Sequence, residues 1–198
     1  MTGISENRTG GWARLASFGL EDAPLPQTAA DGRAAAAPAA EALHVLTSLD
    51  EVRTATHRLL GGARRLVSIM TPDLEPQLYD QPLLLDTLKH FVLSRSFAKV
   101  RVLVRDQSHL TGGDNRFLAM AQRLTSYLEI RIRAPQYDSL DCAYCIADDR
   151  AILYRLRADR WDGIVGYNNP PVARQYLNEF ETVWQDSAHE NMQAGGRR

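Results

Sequence analysis

The pattern of apolar and polar positions changes character near residue 42. Ahead of it, Asp22-Ala-Pro-Leu-Pro-Gln and an alanine run over 34–40, interrupted by Pro38, offer few branched or aromatic residues and no sustained period. Such a segment buries too little apolar surface to offset its ordering entropy, so residues 1–41 are expected to form a disordered Ala/Pro-rich tail. Within it, Trp12, Leu15 and Phe18 could line one face of a short helix. Beyond residue 42 the periods become regular. Residues 43–46 alternate as a short strand, and Ser48-Leu-Asp-Glu51 has the spacing of a capping box, in which two side chains satisfy each other's free amides. The box opens a helix through Leu60 that Gly61-Gly62 ends. Residues 65–70 are apolar enough for a buried strand, and Pro72 and Pro76 then break the chain.

Apolar residues at 84, 85, 88, 91 and 92 mark one face of a helix over 83–95, and 100–104 is a second buried strand. A polar loop over 105–113 leads to a helix over 114–127. Residues 128–133 alternate strictly, as a strand with one polar face does. Two further strands, 143–147 and 151–156, are joined by Asp148-Asp149, and another runs through 163–167. A helix over 170–186 closes the pattern, with proline in its first turn, where no amide proton is needed. Helices alternating with strands, followed by a late hairpin, predict an α/β fold: a mixed β-sheet flanked by helices on both faces. The domain is expected over 42–188, with a disordered C-terminal tail over 189–198.

Composition adds a few exclusions. With 198 residues, 44% hydrophobic and 24% charged, the chain suits one domain that needs no disulfide or metal staple. Its net charge of −1 gives no global basic field, so nucleic acid is not an expected partner. No stretch approaches the roughly 18 apolar residues of a membrane span, and the N-terminus lacks the apolar core of a secretory signal. The two cysteines, Cys142 and Cys145, are too close to form a secreted disulfide framework, so a soluble cytoplasmic protein is expected, without membrane contact.

Few residues carry recognisable chemistry. A redox CxxC places its first cysteine at a helix N-terminus, whereas Cys142-Ala-Tyr-Cys145 falls on a strand and reads as ordinary strand cysteines. The histidines at 44, 57, 90, 109 and 189 form no HxH, HxxxH or HExxH, so no metal is expected. There is no GxSxG, no phosphate-binding P-loop and no dinucleotide fingerprint, so no cofactor is expected either. His109 follows a buried strand in a loop, where α/β proteins place ligand sites. Asp73, Asp106 and Asp141 lie near strand ends, and Arg155 lies on a strand, where a buried arginine near carboxylates could hold an anion or an ion pair.

The segment Ala143-Tyr-Cys-Ile-Ala-Asp148-Asp149-Arg150-Ala-Ile-Leu resembles the hairpin of the phospholipase D superfamily, which usually carries H-x-K, four residues, then Asp-Gly. Gly163-Ile-Val-Gly-Tyr-Asn-Asn169 and a helix ending Phe180-Glu-Thr-Val-Trp184 resemble the way such domains close, and the resemblance spans roughly 43–187. It implies a phospholipase D-like half. Setting Asp148 on the family's aspartate puts Asp141 at the place of its nucleophilic histidine and Ala143 at that of its phosphate-neutralising lysine. Within the superfamily the chain is most similar to an uncharacterised proteobacterial domain family that lacks the motif and is sometimes fused to acetyltransferase domains. The 41 residues ahead of the fold are too few for an acetyltransferase, so that activity is not expected.

These readings lead to a non-catalytic phospholipase D-like domain that binds a small ligand or protein partner through Asp73, His109, Asp141 and Arg155, with no catalytic residue. Two alternatives stand beside it. One is a hydrolase of different chemistry using His109 with Asp141 or Asp106. The other is a structural subunit that forms a homodimer, since halves of this superfamily commonly pair.

Overall fold

The computed structural model describes residues 41–106 and 115–187. Apart from Glu41, the expected tails lie outside the described residues, as do the Trp12 face, His109 and the expected helix start at Asp114. Among the described residues the strands are β1 (His44–Leu46), β2 (Leu66–Thr71), β3 (Lys99–Val104), β4 (Leu128–Ile132), β5 (Ala143–Ala147), β6 (Ala151–Arg155) and β7 (Gly163–Gly166). The helices are α1 (Leu49–Gly61), α2 (Pro76–Tyr79), α3 (Pro82–Leu93), α4 (Arg116–Arg123) and α5 (Pro170–Asp186). The strands form one mixed sheet in the order β1-β7-β6-β5-β2-β3-β4. Pairs β2–β3 and β3–β4 are parallel, which requires the crossover helices between them, and the remaining pairs are antiparallel.

Strand alternation splits the core into two layers. Val67, Ile69, Val100, Val102, Cys145 and Leu153 pack with Val52 and Leu59 of α1, Leu84 and Leu88 of α3, and Phe117 of α4. On the opposite face, Tyr144 and Tyr154 stack 6.2 Å apart and meet Tyr176 of α5, while Tyr144 also meets Phe180. The expected α/β sheet with helical layers is therefore the observed one. Gly163 permits β7 to approach β6, because a Cβ there would sit 2.6 Å from the Tyr154 carbonyl oxygen and 2.8 Å from Cγ of Arg155.

Several local details differ from the sequence expectation. Ser48 caps α1 by accepting from the Glu51 amide at 3.3 Å, but the Glu51 carboxylate accepts from the amide and hydroxyl of Thr47, at 2.6 and 3.0 Å. The reciprocal half of the box is thus displaced by one residue, and these bonds hold the Glu51 carboxyl below its ordinary value. Gly62 ends α1 with φ −85°, so its cap uses no left-handed geometry. Helix α4 is capped by Asn115 and ends at Arg123, because Leu124–Leu128 closes as a turn in which the Leu124 carbonyl accepts from Tyr127 and Leu128. The short α2, started by Pro76, and a 3₁₀ turn at Pro135–Tyr137 carry too little period to be seen in sequence.

The polar face of β4 is covered by the end of α5. Arg131 lies 4.1 Å over the Trp184 ring and donates to the carboxylate of Glu129 at 2.7 Å and to the Trp184 carbonyl at 2.8 Å. Arg101 pairs with Glu181 at 2.6 Å. Long arginine stems and an aromatic surface let a charged strand face be buried without stranding its charge.

Candidate functional site

The carboxyl ends of the parallel strands, where open α/β sheets hold ligands, are organised around one buried ion pair. β2 ends at Thr71 and Pro72 prevents its continuation. Leu74 and Glu75 then take φ values of 68° and 33°, a left-handed pair of non-glycine residues that turns the Glu75 side chain back over the sheet end. Such conformations cost about 1–3 kcal/mol each and persist only where the surroundings enforce them. Here the enforcement is visible. Thr71 Oγ1 donates to Glu75 Oε2 at 2.9 Å, Asp73 Oδ1 accepts from the Glu75 amide at 2.9 Å, and Arg155 Nη2 is ion-paired with Glu75 Oε1.

Arg155 is the last residue of β6 and only 1% exposed. Its Nη1 donates to the carbonyls of Ala158 and Arg160, at 3.1 and 2.8 Å, and its guanidinium lies 4.6 Å from the Trp161 ring centroid. Burial raises the Glu75 carboxyl above its ordinary range, and the Arg155 charge pulls it partly back.

The other sequence candidates sit around this pair in different states. Asp73 is half-buried and holds the turn. Asp141 is exposed and pairs with Arg105 at 3.1 Å, across the rim from β3 to the entry of β5. Asp106 follows Arg105 at the end of β3, its amide donating to the Pro72 carbonyl at 2.9 Å. The structure therefore joins Asp73 and Arg155 through Glu75 and leaves Asp141 on the rim.

Sequence reasoning missed Glu75, Thr71, Arg105 and Arg133. Arg133 continues the alternation of β4, yet it is 3% exposed, donating from Nη1 to the Leu140 carbonyl at 3.0 Å, and burial pushes its guanidinium down. Glu75 gives a weak sequence signal only, a carboxylate between two prolines just after a buried strand.

Asp148 and the cysteines have settled roles. Asp148 adopts φ 55° in the β5–β6 turn, and its carboxylate accepts from the amides of Arg64, Arg65 and Leu66 at 3.0, 2.8 and 3.1 Å. It ties the hairpin to the start of β2 at the far end of the sheet from Glu75. Cys142 and Cys145 are both free, with Cys145 in the core of β5. Burial pushes the Cys142 thiol up and that of Cys145 to about 12, the reverse of what a redox thiol needs.

The sheet order, late hairpin and closing helix make one mixed α/β domain. The chain belongs to the family described as "Domain of unknown function (DUF7931)", whose model matches residues 48–193. The fold is similar to that of Nuc from Salmonella typhimurium, a phospholipase D family member, at TM-score 0.53 and 14% identity over 74% of this chain and 96% of that one. It is also similar to TrmBL2, an archaeal chromatin protein with a novel mode of DNA binding, at TM-score 0.54 and 16% identity. That likeness covers 74% of this chain but only 53% of TrmBL2, so the chain spans about half the length of that protein. Nothing among the curated proteins matches the sequence.

The TrmBL2 likeness corrects the expectation that nucleic acid is not a partner. That expectation rested on a net charge of −1 summed over the whole chain, and a sum is blind to where the charges sit. A DNA-binding protein carries this fold. Among the described residues, no helix is long and apolar enough to cross a membrane.

Proposed function

We propose that this chain is a non-catalytic binding domain on a phospholipase D-like frame. The Glu75–Arg155 pair is the observation that carries this reading. Ala143, which takes the place of the superfamily's lysine, lies opposite Arg155 in the β5–β6 register. A lysine there neutralises phosphate, and Arg155 is the cation nearest in register that could replace it. Its Nη2 is committed to Glu75 and its Nη1 to two carbonyls, with 1% of the residue exposed. Arg105 in turn is committed to Asp141, the carboxylate at the place of the nucleophilic histidine, which would repel a phosphodiester.

In this reading a ligand meets Asp73 and Asp141 at the rim, Arg155 holds β6 and the 72–75 turn beneath them, and His109 joins the set by its place after β3. DNA belongs among the partners to be screened because TrmBL2 binds it. A cytoplasmic setting is part of the same reading, since two unbridged thiols suit a reducing compartment.

The test is hydrolysis of bis(p-nitrophenyl) phosphate by the purified full chain, with and without divalent cations. No release of p-nitrophenol above buffer is expected. Turnover that disappears in Asp141→Ala would overturn the proposal. A thermal-shift screen with DNA, nucleotides, phosphates and acyl-CoA then seeks the ligand, because binding to the folded state alone must raise Tm.

A further inference from the structure

The opposite end of the sheet carries a second feature that the rim site does not use. Arg64 and Arg65 lead into β2, and Arg95 and Phe97 lead into β3, so the parallel pairing brings the four side by side. They line an open cleft of about 660 Å³, within the roughly 300–1,000 Å³ that small-ligand sites occupy.

Among the described residues, none of the three guanidinium groups has a carboxylate partner. The nearest acid in the turn network, Asp148, directs its carboxylate to the backbone amides of Arg64, Arg65 and Leu66. Held against those amides, its carboxylate forms no ion pair with the three guanidinium groups, which remain available to an outside anion. Phe97 is 60% exposed, an aromatic face left in solvent beside three cations. Lys99 stands next to Arg65 in the sheet, but its ammonium donates to the Ser126 carbonyl at 2.5 Å and lies 5.7 Å from the Tyr127 ring centroid, outside the cleft lining.

An anion alone would need only the cations, and an apolar partner only the phenyl ring. Cations flanking one exposed ring match a chain that repeats a phosphate and a flat base. A base can stack on Phe97 only when it is unpaired, and stacking platforms beside basic clefts are how proteins hold single strands without reading sequence. We propose that this cleft binds single-stranded nucleic acid, with Arg64, Arg65 and Arg95 on its phosphates and a base stacked on Phe97.

The experiment is fluorescence anisotropy of a labelled oligo-dT strand with the full chain at low salt, beside a duplex of equal length. The single strand should bind more tightly than the duplex. Its log affinity should fall against log salt with a slope of about −2, as three phosphate contacts at about −0.7 each require. Phe97→Ala should weaken binding by about fivefold to a hundredfold. Arg64→Ala with Arg95→Ala should flatten the salt slope, and Arg64→Lys with Arg95→Lys should restore it. Arg64 and Phe97 are exposed and Arg95 is half-buried, and melting curves confirm that each variant folds.

Absence of oligonucleotide binding at about 50 mM salt would overturn the proposal. So would binding indifferent to all three substituted positions, or tighter binding to the duplex. If vesicles containing phosphatidylserine bind in a Phe97-dependent way while the oligonucleotide does not, the cleft is a membrane-surface site and the proposal falls.

Discussion

The two ends of the sheet treat arginine in opposite ways. At the carboxyl ends of the parallel strands, Arg155 is buried, and its pairing with Glu75 and two carbonyls locks β6 to the 72–75 turn. At the amino ends, Arg64, Arg65 and Arg95 surround a cleft beside Phe97 and lack carboxylate partners among the described residues. The same side chain is scaffold in one place and available charge in the other. Burial decides which: a desolvated charge must be paired and hydrogen-bonded, whereas one in water can wait for a ligand.

The largest effect should come from breaking the buried pair from one side. Arg155→Met leaves the Glu75 carboxylate desolvated and should cost about 3–5 kcal/mol in denaturant unfolding. The double substitution Glu75→Leu with Arg155→Met should recover most of that loss, because no charge then remains buried. A double variant as unstable as the single would show that the carbonyl bonds of Arg155, and not the ion pair, hold this end together.

Next in size is Asp148→Ala, which removes an ionised acceptor from three amides and leaves alanine at φ 55°. A loss of about 2 kcal/mol is expected, with Asp148→Asn losing less because its amide oxygen still accepts. Equal losses in both variants would assign the effect to something other than those hydrogen bonds.

A smaller, pH-dependent effect follows from Glu75. Its carboxyl is raised in the folded state, so folding favours the protonated form, and that contribution is full below the ordinary value of 4.5. It is lost as pH rises through the folded value. The stability of the native chain minus that of Glu75→Gln should therefore fall as pH climbs above about 4.5 and then level off. A difference that grows with pH would show that the ionised pair with Arg155 outweighs desolvation.

The smallest effect is expected at the far cleft. Arg64→Ala and Arg65→Ala should each change stability by no more than about 0.5 kcal/mol, as surface substitutions away from packed features do. A larger loss would make these arginines scaffold too and erase the contrast between the two ends.

Much of the fold was legible in the chain because its signals are local. The apolar run 100–104, the prolines opening the helix at Pro170 and the Asp148-Asp149 turn each act within a few residues, and each element lies where its pattern put it. The candidate site was legible only in part. Asp73 and Arg155 were marked by position at strand ends, yet Glu75, the residue that joins them, is 80 positions from Arg155 in sequence. Nothing local says that its side chain turns inward, since that depends on two left-handed residues held by Thr71 and Asp73. Arg131 and Arg133 misled in the opposite direction. Alternation correctly put them on one face of β4, but alternation cannot tell water from the end of α5 over Arg131 or from the Leu140 segment beside Arg133.

The sequence by itself determined the α/β layering, the seven strands and four longer helices, and the absence of a His-x-Lys pair ahead of Asp148. These are properties of period, turn chemistry and residue identity, which act over short stretches of chain. Tertiary structure decided which charges are spent and which stay free. Whether an arginine is paired depends on carboxylates that approach from distant segments, and on the desolvation that their packing imposes.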